Sequence, residues 1–284
     1  MIPRHHRRWS TPALLLLPCA ALMIYALVLP LLTFLRYSFY RSKGGRLQEA
    51  FVFDAYREFL TDPYYHAVVS DTLWMSLIVT VLAVAISYPL AYVLWRVNRP
   101  GLQRWLGLII FSPILVSVVV RSYGWTVLLA DQGPVNVLAQ AMGLIHDPVR
   151  LVYNLPGVVI SLTHVFLPFV VFPIFGSLVR LDPALAEAAT DLGAGWWTVF
   201  RRITFPLSLP GLIAGTQICF TLALGAFVTP ALLGGGHVLV LPLEIYQATS
   251  NIDWPLASVG NLALLVMAFV VVSAFNRLIR LAET

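Results

Sequence analysis

The candidate functional residues of this chain are ionisable and aromatic side chains. They lie within or beside long apolar stretches. Arg121 is the clearest case, because the run from Val118 to Trp125 places it inside an apolar segment. Charged groups inside a bilayer are costly and usually line a water-filled path. Such groups would support the passage of a polar solute, and the candidate pathway residues are Arg121, Tyr123, Trp125, Asp71, Glu244 and Asp253.

Each candidate pathway residue also has a purely structural interpretation. Arg121 could form a salt bridge with Asp71 or Asp131, or could extend toward the outer lipid headgroups. Tyrosine and tryptophan at the ends of spans commonly anchor a chain in the membrane interface. Glu244 and Asp253 could be ordinary loop charges that face water. Both interpretations stay open at the level of the sequence.

Patterns for catalysis or cofactor binding are missing from the chain. Its one lysine, Lys43, is followed by Gly44, so the Gly-Lys-Ser/Thr sequence of a nucleotide-binding P-loop is absent. His164 has no acidic residue near it at helical spacing, which favours a hydrogen bond between packed helices over a role as base or metal ligand. Cys19 and Cys219 fall within apolar segments and are interpreted as free thiols. We therefore predict no catalytic residue, no metal site and no cofactor on this chain.

The elements that would position these residues are membrane-spanning helices. The chain is 59% hydrophobic and 11% charged, with a mean hydropathy of +0.84, far from the composition of a soluble domain. A span needs about 20 mostly apolar residues, and six segments meet this condition: 12–35, 67–95, 105–130, 155–178, 208–228 and 258–279. The sequence predicts an all-α integral membrane protein with six transmembrane helices, forming a single domain over residues 1–284.

The distribution of basic residues predicts the orientation of the spans. With both termini placed in the cytoplasm, eleven arginines lie inside and six Arg and Lys residues lie outside, in agreement with the positive-inside rule. The arginines are dispersed between spans, which argues against nucleic-acid binding despite the net charge of +5. The apolar run near the N-terminus continues to Leu35, too far for a cleaved signal peptide, so an uncleaved first span is predicted.

A polar loop between the predicted fourth and fifth spans carries the most specific pattern in the chain. In residues 182–206, Asp182 can cap a short helix that begins at Pro183 and ends where Gly193 takes a left-handed conformation. One narrow apolar face is formed by Leu185, Ala188, Ala189 and Leu192. Small alanines let another surface approach the backbone closely. The loop is therefore predicted to be a docking element rather than a catalytic site.

The motif in this loop resembles that of the inner-membrane permease subunits of binding-protein-dependent ABC importers. The matching positions are Glu187, Ala188, Ala189, Gly193, Ile203 and Pro206, and Phe205 replaces the leucine usual in that family. In those permeases the loop forms coupling helices that dock into a groove of the ATPase. The resemblance thus implies an ATPase-coupling set of Glu187, Ala188, Ala189, Leu192, Gly193, Ile203 and Pro206. An amphipathic helix that lies on the bilayer surface is the alternative interpretation.

The resemblance also implies partners and a location. The chain would lie in the bacterial inner membrane, in contact with lipid, and would pair with a second permease subunit that is a homologue. Two ATP-binding subunits would bind on the cytoplasmic side and a periplasmic binding protein on the other. ATP and Mg would be bound by the partner ATPase subunits and not by this chain.

A second part of the chain resembles the spermidine/putrescine-type permeases. It comprises residues 225–236, which include the sequence Phe-Val-Thr-Pro, and residues 253–255 before the last span. The resemblance implies a polyamine or a similar small cation as cargo, with iron, opines or aminophosphonates as alternatives. A rival from another class, an ATP-independent secondary transporter, would show inverted repeats, and no convincing internal repeat is present.

Overall fold

The computed structural model describes residues 10–43 and 46–283, with the side chains of residues 16–42 and 46–277. The basic residues Arg4, Arg7 and Arg8, which contribute to the predicted orientation, lie outside the described residues. Within the described part, the chain forms thirteen α-helices, one π-helical turn and one two-stranded hairpin.

The bounds of these elements follow in chain order. The helices are α1 (Ser10–Tyr37), α2 (Asp54–Thr61), α3 (Pro63–Arg96), α4 (Pro100–Leu115), α5 (Val118–Leu128), α6 (Pro134–Ala141), α7 (Leu155–Val179), α8 (Pro183–Asp191), α9 (Trp196–Val199), α10 (Phe205–Leu224), α11 (Val228–Leu233), α12 (Leu241–Ser250) and α13 (Trp254–Glu283). The antiparallel hairpin pairs β1 (Arg41–Lys43) with β2 (Arg46–Gln48), and the π-helical turn Phe200–Thr204 joins α9 to α10.

Long apolar helices account for the predicted spans. The helices α1, α3, α7 and α13, together with α10 extended by α9 and the π-helical turn, are each long and apolar enough to cross a membrane. The predicted third span, residues 105–130, is not one continuous helix, because α4 and α5 meet at a bend of 101°. Val116 and Ser117 are extended at this bend, with ψ angles of 135° and 137°. Valine is β-branched and tolerates the extended conformation well.

The centre of the bundle is α7, which packs between α3 and α10. Its residues Val158, Val170 and Ile174 have no exposed surface. The helix α10 approaches α7 closely because it presents a glycine there: a Cβ on Gly211 would collide with the carbonyl oxygen of Pro173. Small residues at helix interfaces permit such close packing inside a membrane.

Capping side chains followed by proline begin two of the core helices. The Asp62 carboxylate accepts a hydrogen bond from the Tyr64 N–H at 2.8 Å at the start of α3. The Asn154 side chain accepts one from the Leu155 N–H at 2.9 Å at the start of α7. Proline in the first turn has no N–H to leave unsatisfied, so these helix starts follow from the local sequence.

The two ends of the bundle carry different elements. The helices α8 and α9 lie at the end where α3 and α7 finish and α10 begins, called the α8 end below. The hairpin, α2, α11 and α12 lie at the opposite end, called the hairpin end below. The two ends of the bundle therefore present different surfaces to partner proteins.

The first helix has little cover from the rest of the chain. It packs along α13, and large apolar side chains such as Leu22 and Tyr25 are 68% and 65% exposed. Contiguous exposed apolar surface of this size would be unfavourable in water. We conclude that this face of α1 contacts lipid or another membrane-embedded chain.

Candidate functional site

Residues 182–206, called the coupling segment below, begin with the helix that the sequence predicts. The Asp182 carboxylate accepts a hydrogen bond from the Ala184 N–H at 3.0 Å, and Pro183 occupies the first turn of α8. The cap satisfies an N–H that has no partner within the helix, and a negative charge is favourable at this end. The predicted start of α8 is confirmed.

The end of α8 is a cap that depends on glycine. The Ala194 N–H donates to the Ala189 carbonyl at 3.0 Å, and the Gly193 N–H donates to the Thr190 carbonyl at 2.9 Å. This pair of bonds is typical of the Schellman motif, in which the residue after the helix is left-handed. Gly193 has the left-handed φ of +83°. A residue with a Cβ is strained at that angle, so the predicted role of Gly193 in ending the helix is confirmed.

The helix α8 has no buried residue, and part of its apolar surface points away from the bundle. Leu192 is 90% exposed and Leu185 is 47% exposed. Ala188 is also exposed, whereas Ala186 and Ala189 are half-buried. The predicted apolar face is therefore divided: Ala188 and Leu192 are open to a partner surface, Ala189 is partly covered, and Leu185 lines the cavity between α8 and the bundle.

The covered side of α8 borders a cavity of about 440 Å³. The lining includes Glu187 of α8, Ile203 of the π-helical turn and Arg96 at the end of α3. Ile203 is half-buried, and Pro206 is exposed in the first turn of α10. Of the predicted ATPase-coupling set, Glu187 and Ile203 therefore share one cavity, and the contact of the whole set with an ATPase stays a prediction.

The second half of the coupling segment continues into α10 without a break. The helix α9 has only four residues and runs directly into the π-helical turn, which the Phe205 N–H closes by donating to the Phe200 carbonyl. Single π-helical turns are frequent at functional sites. The backbone is therefore helical without interruption from Trp196 to Leu224.

Arg121 lies in the first turn of α5, directly after the bend. Its guanidinium Nη1 donates a hydrogen bond to the carbonyl oxygen of Pro113 in the last turn of α4. Carbonyl groups in the last turn of a helix have no partner within the helix, and a cation is favourable there. The structure therefore gives Arg121 a capping contact that spans the bend between the two halves of the third span.

The alternative salt bridge of Arg121 with Asp71 or Asp131 does not form. Among the side chains that the structure describes, ion pairs join Arg36 to Glu49 at 2.9 Å and Arg41 to Asp54 at 2.5 Å. Both pairs are largely exposed at the hairpin end, where such contacts contribute little to stability. The Pro113 carbonyl oxygen, and not either carboxylate, accepts the hydrogen bond from Arg121.

Replacing Arg121 by alanine is expected to lower both the thermal midpoint of the purified protein in detergent and the rate of uptake. A hydrogen bond from a charged donor contributes about 1.5–3 kcal/mol, and its loss would loosen the bend. Lysine at this position keeps one donor, so Arg121→Lys should fall between the wild type and Arg121→Ala. The exposed Arg150 provides the control, since Arg150→Ala should change neither quantity. An unchanged midpoint with lost uptake would instead favour a direct pathway role.

Of the other candidate pathway residues, Trp125 lies one helical turn after Arg121 on α5. Trp125 Nε1 donates to His164 Nδ1 of α7 at 3.4 Å, and the two rings meet edge-on with centroids 5.4 Å apart. His164 is thus the helix-packing hydrogen-bonding residue that the sequence predicts. Tyr123 is 67% exposed on α5, and Asp71 is exposed on α3.

Glu244 and Asp253 line a shared cavity at the hairpin end. The cavity measures about 180 Å³ and lies between α2, α3, α12 and α13. Glu244 Oε1 is buried and has no hydrogen-bond partner among the described residues. Burial, together with the carboxylates of Asp253 and Asp62, raises the pKa of nearby Glu58 above its ordinary value. The two carboxylates thus add a negative local potential to the larger effect of burial.

An aromatic cluster at the α8 end was not predicted from the sequence. It consists of aromatic side chains from the end of α3 and from the coupling segment: Tyr88, Tyr92, Trp95, Trp196 and Phe200. The available signal was the spacing of the three α3 residues, which places them on one helix face. Aromatic residues at a span end are equally typical of interfacial anchors, so the spacing alone did not indicate a contact with the loop.

Comparison with known proteins places the coupling segment within a matched region. Residues 105–283 match the family described as the inner membrane component of binding-protein-dependent transport systems. The chain is 32% identical over 242 residues to the spermidine/putrescine transport system permease protein PotB of Escherichia coli (strain K12), covering 85% of this chain and 87% of that protein. It is 30% identical over 256 residues to PotB of Haemophilus influenzae, covering 90% and 89%.

A solved structure shares the fold. It is the crystal structure of a bacterial alginate ABC transporter in complex with an alginate pentasaccharide-bound periplasmic protein. One chain of it superposes with a TM-score of 0.77 over 96% of this chain and 95% of its own length, at 19% identity. At that identity the likeness concerns the arrangement of the helices alone.

Proposed function

The chain belongs to the family of inner-membrane components of binding-protein-dependent transport systems, and we propose that it carries a polyamine or a similar small organic cation. It is a non-catalytic permease subunit of an ABC importer, forming part of the translocation pathway. The cargo would be delivered by a periplasmic binding protein, and ATP would be hydrolysed on separate subunits.

The observation that carries the coupling role is the exposed apolar face of a firmly capped helix. Ala188 and Leu192 are exposed at the α8 end of the bundle, while Asp182 and Gly193 define where the helix begins and ends. An exposed apolar patch at a defined position is typical of a docking surface. Closure of the ATPases would then displace the coupling segment and bias the pathway between its inward-facing and outward-facing states.

The proposed assembly has four further subunits. A second, homologous permease would cover apolar surface that remains exposed on the α5 side of the bundle, including Val120 at 64% and Tyr123 at 67%. Two ATP-binding subunits would dock at the α8 end, and the periplasmic binding protein would dock at the hairpin end. ATP and Mg would be bound on the ATPase subunits. Both termini would then lie in the cytoplasm, in keeping with the excess of arginine on that side.

The cargo class is supported by the relatives and by the charge at the hairpin end. The relatives that match most of the chain are named as spermidine/putrescine permeases. Glu244 and Asp253 share a cavity with Glu58 close by, and carboxylates attract ammonium groups. The cavity is smaller than the 300–1,000 Å³ or so of pockets for whole drug-sized ligands, so it suits one end of a chain-like cation. Iron, opines and aminophosphonates remain the alternative cargo classes.

Affinity purification of the chain from its native membrane tests this function. We expect an ATP-binding subunit and a second permease to co-purify, and ATP hydrolysis to rise when a spermidine-loaded binding protein is added. A binding protein loaded with iron or with an aminophosphonate should not stimulate the complex. A chain that purifies alone and exchanges solute without ATP would contradict the proposal and favour a secondary transporter.

Replacing Glu244 by glutamine is expected to raise the half-saturating spermidine concentration for uptake. Removing one carboxylate charge weakens an ammonium contact by about threefold if the interaction is that of a partly exposed ion pair. Uptake of labelled spermidine into proteoliposomes of the complete transporter measures the change. The exposed outer residue Asp147 supplies the matched control, because Asp147→Asn removes the same charge away from the cavity. Equal effects of both variants would show that Glu244 acts only as an ordinary loop charge and not as a contact for the cargo.

A further inference from the structure

A hydrogen bond at the α8 end connects parts of the chain that are 104 residues apart. Trp196 Nε1, in the coupling segment, donates to the hydroxyl oxygen of Tyr92 at 3.2 Å. Tyr92 lies one turn before the end of α3, the second span. The bond therefore crosses from the loop that precedes the fifth span to the end of the second.

The Tyr92 hydroxyl is also bound from within its own helix. Arg96 Nε and Nη2 donate to the same oxygen at 3.1 and 3.0 Å. The guanidinium also lies 5.4 Å from the ring centroid of Tyr92 and 5.5 Å from that of Trp95. Hydrogen bonds from a charged donor are stronger than neutral ones, so Arg96 holds the Tyr92 oxygen in place as an acceptor for Trp196.

Trp196 is held on the other side by the π-helical turn. Its ring stacks on Phe200, the first residue of that turn, with centroids 6.0 Å apart and an interplanar angle of 20°. Phe200 also meets Tyr92 edge-on at 5.5 Å. Edge-on and stacked aromatic pairs have preferred geometries. The indole is thus oriented toward Tyr92 by a residue that moves with α10.

We propose that the Trp196–Tyr92 hydrogen bond, oriented by Arg96, transmits displacement of the coupling segment to the second span. This proposal rests on the function proposed above. Backbone continuity connects the coupling segment to α7 and α10, and α10 meets α3 further along, where the Tyr88 and Ser208 hydroxyls are 2.9 Å apart. The Trp196–Tyr92 hydrogen bond adds a direct link from the coupling segment to the end of α3, so that α3 and α10 move together when the ATPases close. Trp196 and Tyr92 are positioning residues, because neither has to touch cargo or nucleotide for this role.

Two conservative substitutions test the transmission. Tyr92→Phe removes the shared oxygen, and Trp196→Phe removes the indole donor while keeping an aromatic ring against Phe200. In proteoliposomes of the complete transporter, each variant should take up about fivefold less spermidine per ATP hydrolysed, the scale of one lost hydrogen bond. The ATP-binding subunit should still co-purify with both. The double variant should be no worse than Tyr92→Phe alone, because removal of the Tyr92 oxygen already removes the contact with Trp196.

Trp197 provides the matched control. It is 59% exposed against 60% for Trp196, and it also stacks on Phe200 with centroids 5.4 Å apart. Its indole nitrogen makes no hydrogen bond to Tyr92 in the described part of the chain, where that contact belongs to Trp196. Trp197→Phe should therefore keep the wild-type ratio of uptake to hydrolysis.

The proposal would be overturned by an unchanged ratio in Tyr92→Phe, by an equal loss in Trp197→Phe, or by losses that multiply in the double variant. Loss of the ATP-binding subunit from Tyr92→Phe would also contradict it, since it would assign Tyr92 to assembly. Failure of the proposed function itself would be visible separately, because the wild-type chain would then bind no ATPase.

Discussion

Replacing Gly193 by tryptophan is expected to abolish uptake and to release the ATP-binding subunit from the chain. At a φ of +83° a side chain with a Cβ is strained, by roughly 1–2 kcal/mol for an ordinary residue. The strain opposes the bond from the Ala194 N–H to the Ala189 carbonyl, so α8 would lose its defined end. The indole would also lie beside Leu192, the 90% exposed residue of the docking face. Co-purification and uptake of labelled cargo measure both effects.

Two variants separate backbone conformation from simple bulk. Asparagine visits the left-handed conformation more readily than other residues, so Gly193→Asn should keep most of the uptake. Gly195 has an ordinary φ of −69°, and a Cβ at either glycine meets no atom within 4 Å. Gly195→Ala should therefore behave as the wild type. Normal uptake by Gly193→Trp, with the chain inserted in the membrane, would count against the coupling assignment.

Replacing Gly211 by leucine is expected to prevent folding of the bundle. A Cβ at this position would collide with the Pro173 carbonyl oxygen and with Ser177 Oγ, both on α7. The serine can rotate away, but the carbonyl belongs to the backbone of the central helix. Overpacking a core costs about 1–3 kcal/mol and occasionally more, and leucine adds three carbons beyond a Cβ that already does not fit. The yield of monodisperse protein in detergent measures the loss.

A graded series makes the Gly211 result specific. Gly211→Ala should give folded protein with a lowered thermal midpoint, between the wild type and Gly211→Leu. Gly176, on α7, has no atom within 4 Å of an added Cβ, so Gly176→Ala should leave the midpoint unchanged. Equal midpoints for Gly211→Ala and Gly176→Ala would show that α10 does not approach α7 as closely as described.

The coupling segment was predictable because its structure depends on near neighbours. Asp182 caps an N–H two residues away, and the bonds around Gly193 reach back no further than five residues. The division of the apolar face was not predictable in the same way. Helical spacing groups Leu185, Ala188, Ala189 and Leu192 together, but only the packing of α8 against its surroundings covers Ala189 in part and leaves Leu192 exposed.

The third span shows the limit of hydropathy. Residues 105–130 are mostly apolar, and hydropathy does not show where a helix bends. The 101° bend depends on the extended backbone at Val116 and Ser117 and on the contact of Arg121 with Pro113. The sequence prediction offered Arg121 an acidic partner, whereas a backbone carbonyl at a helix end satisfies the same cation.

The sequence by itself determined the membrane class of this protein, its apolar spans and the capped helix with its left-handed glycine. These properties depend on side-chain polarity and on hydrogen bonds between residues close in the chain. Only the tertiary structure decided that Trp196 meets Tyr92 and that Glu244 and Asp253 line one cavity. Such contacts depend on how far helices approach and how they are shifted along their axes. Close contacts such as that of Gly211 with α7 set those distances, and they become visible only once the helices are packed.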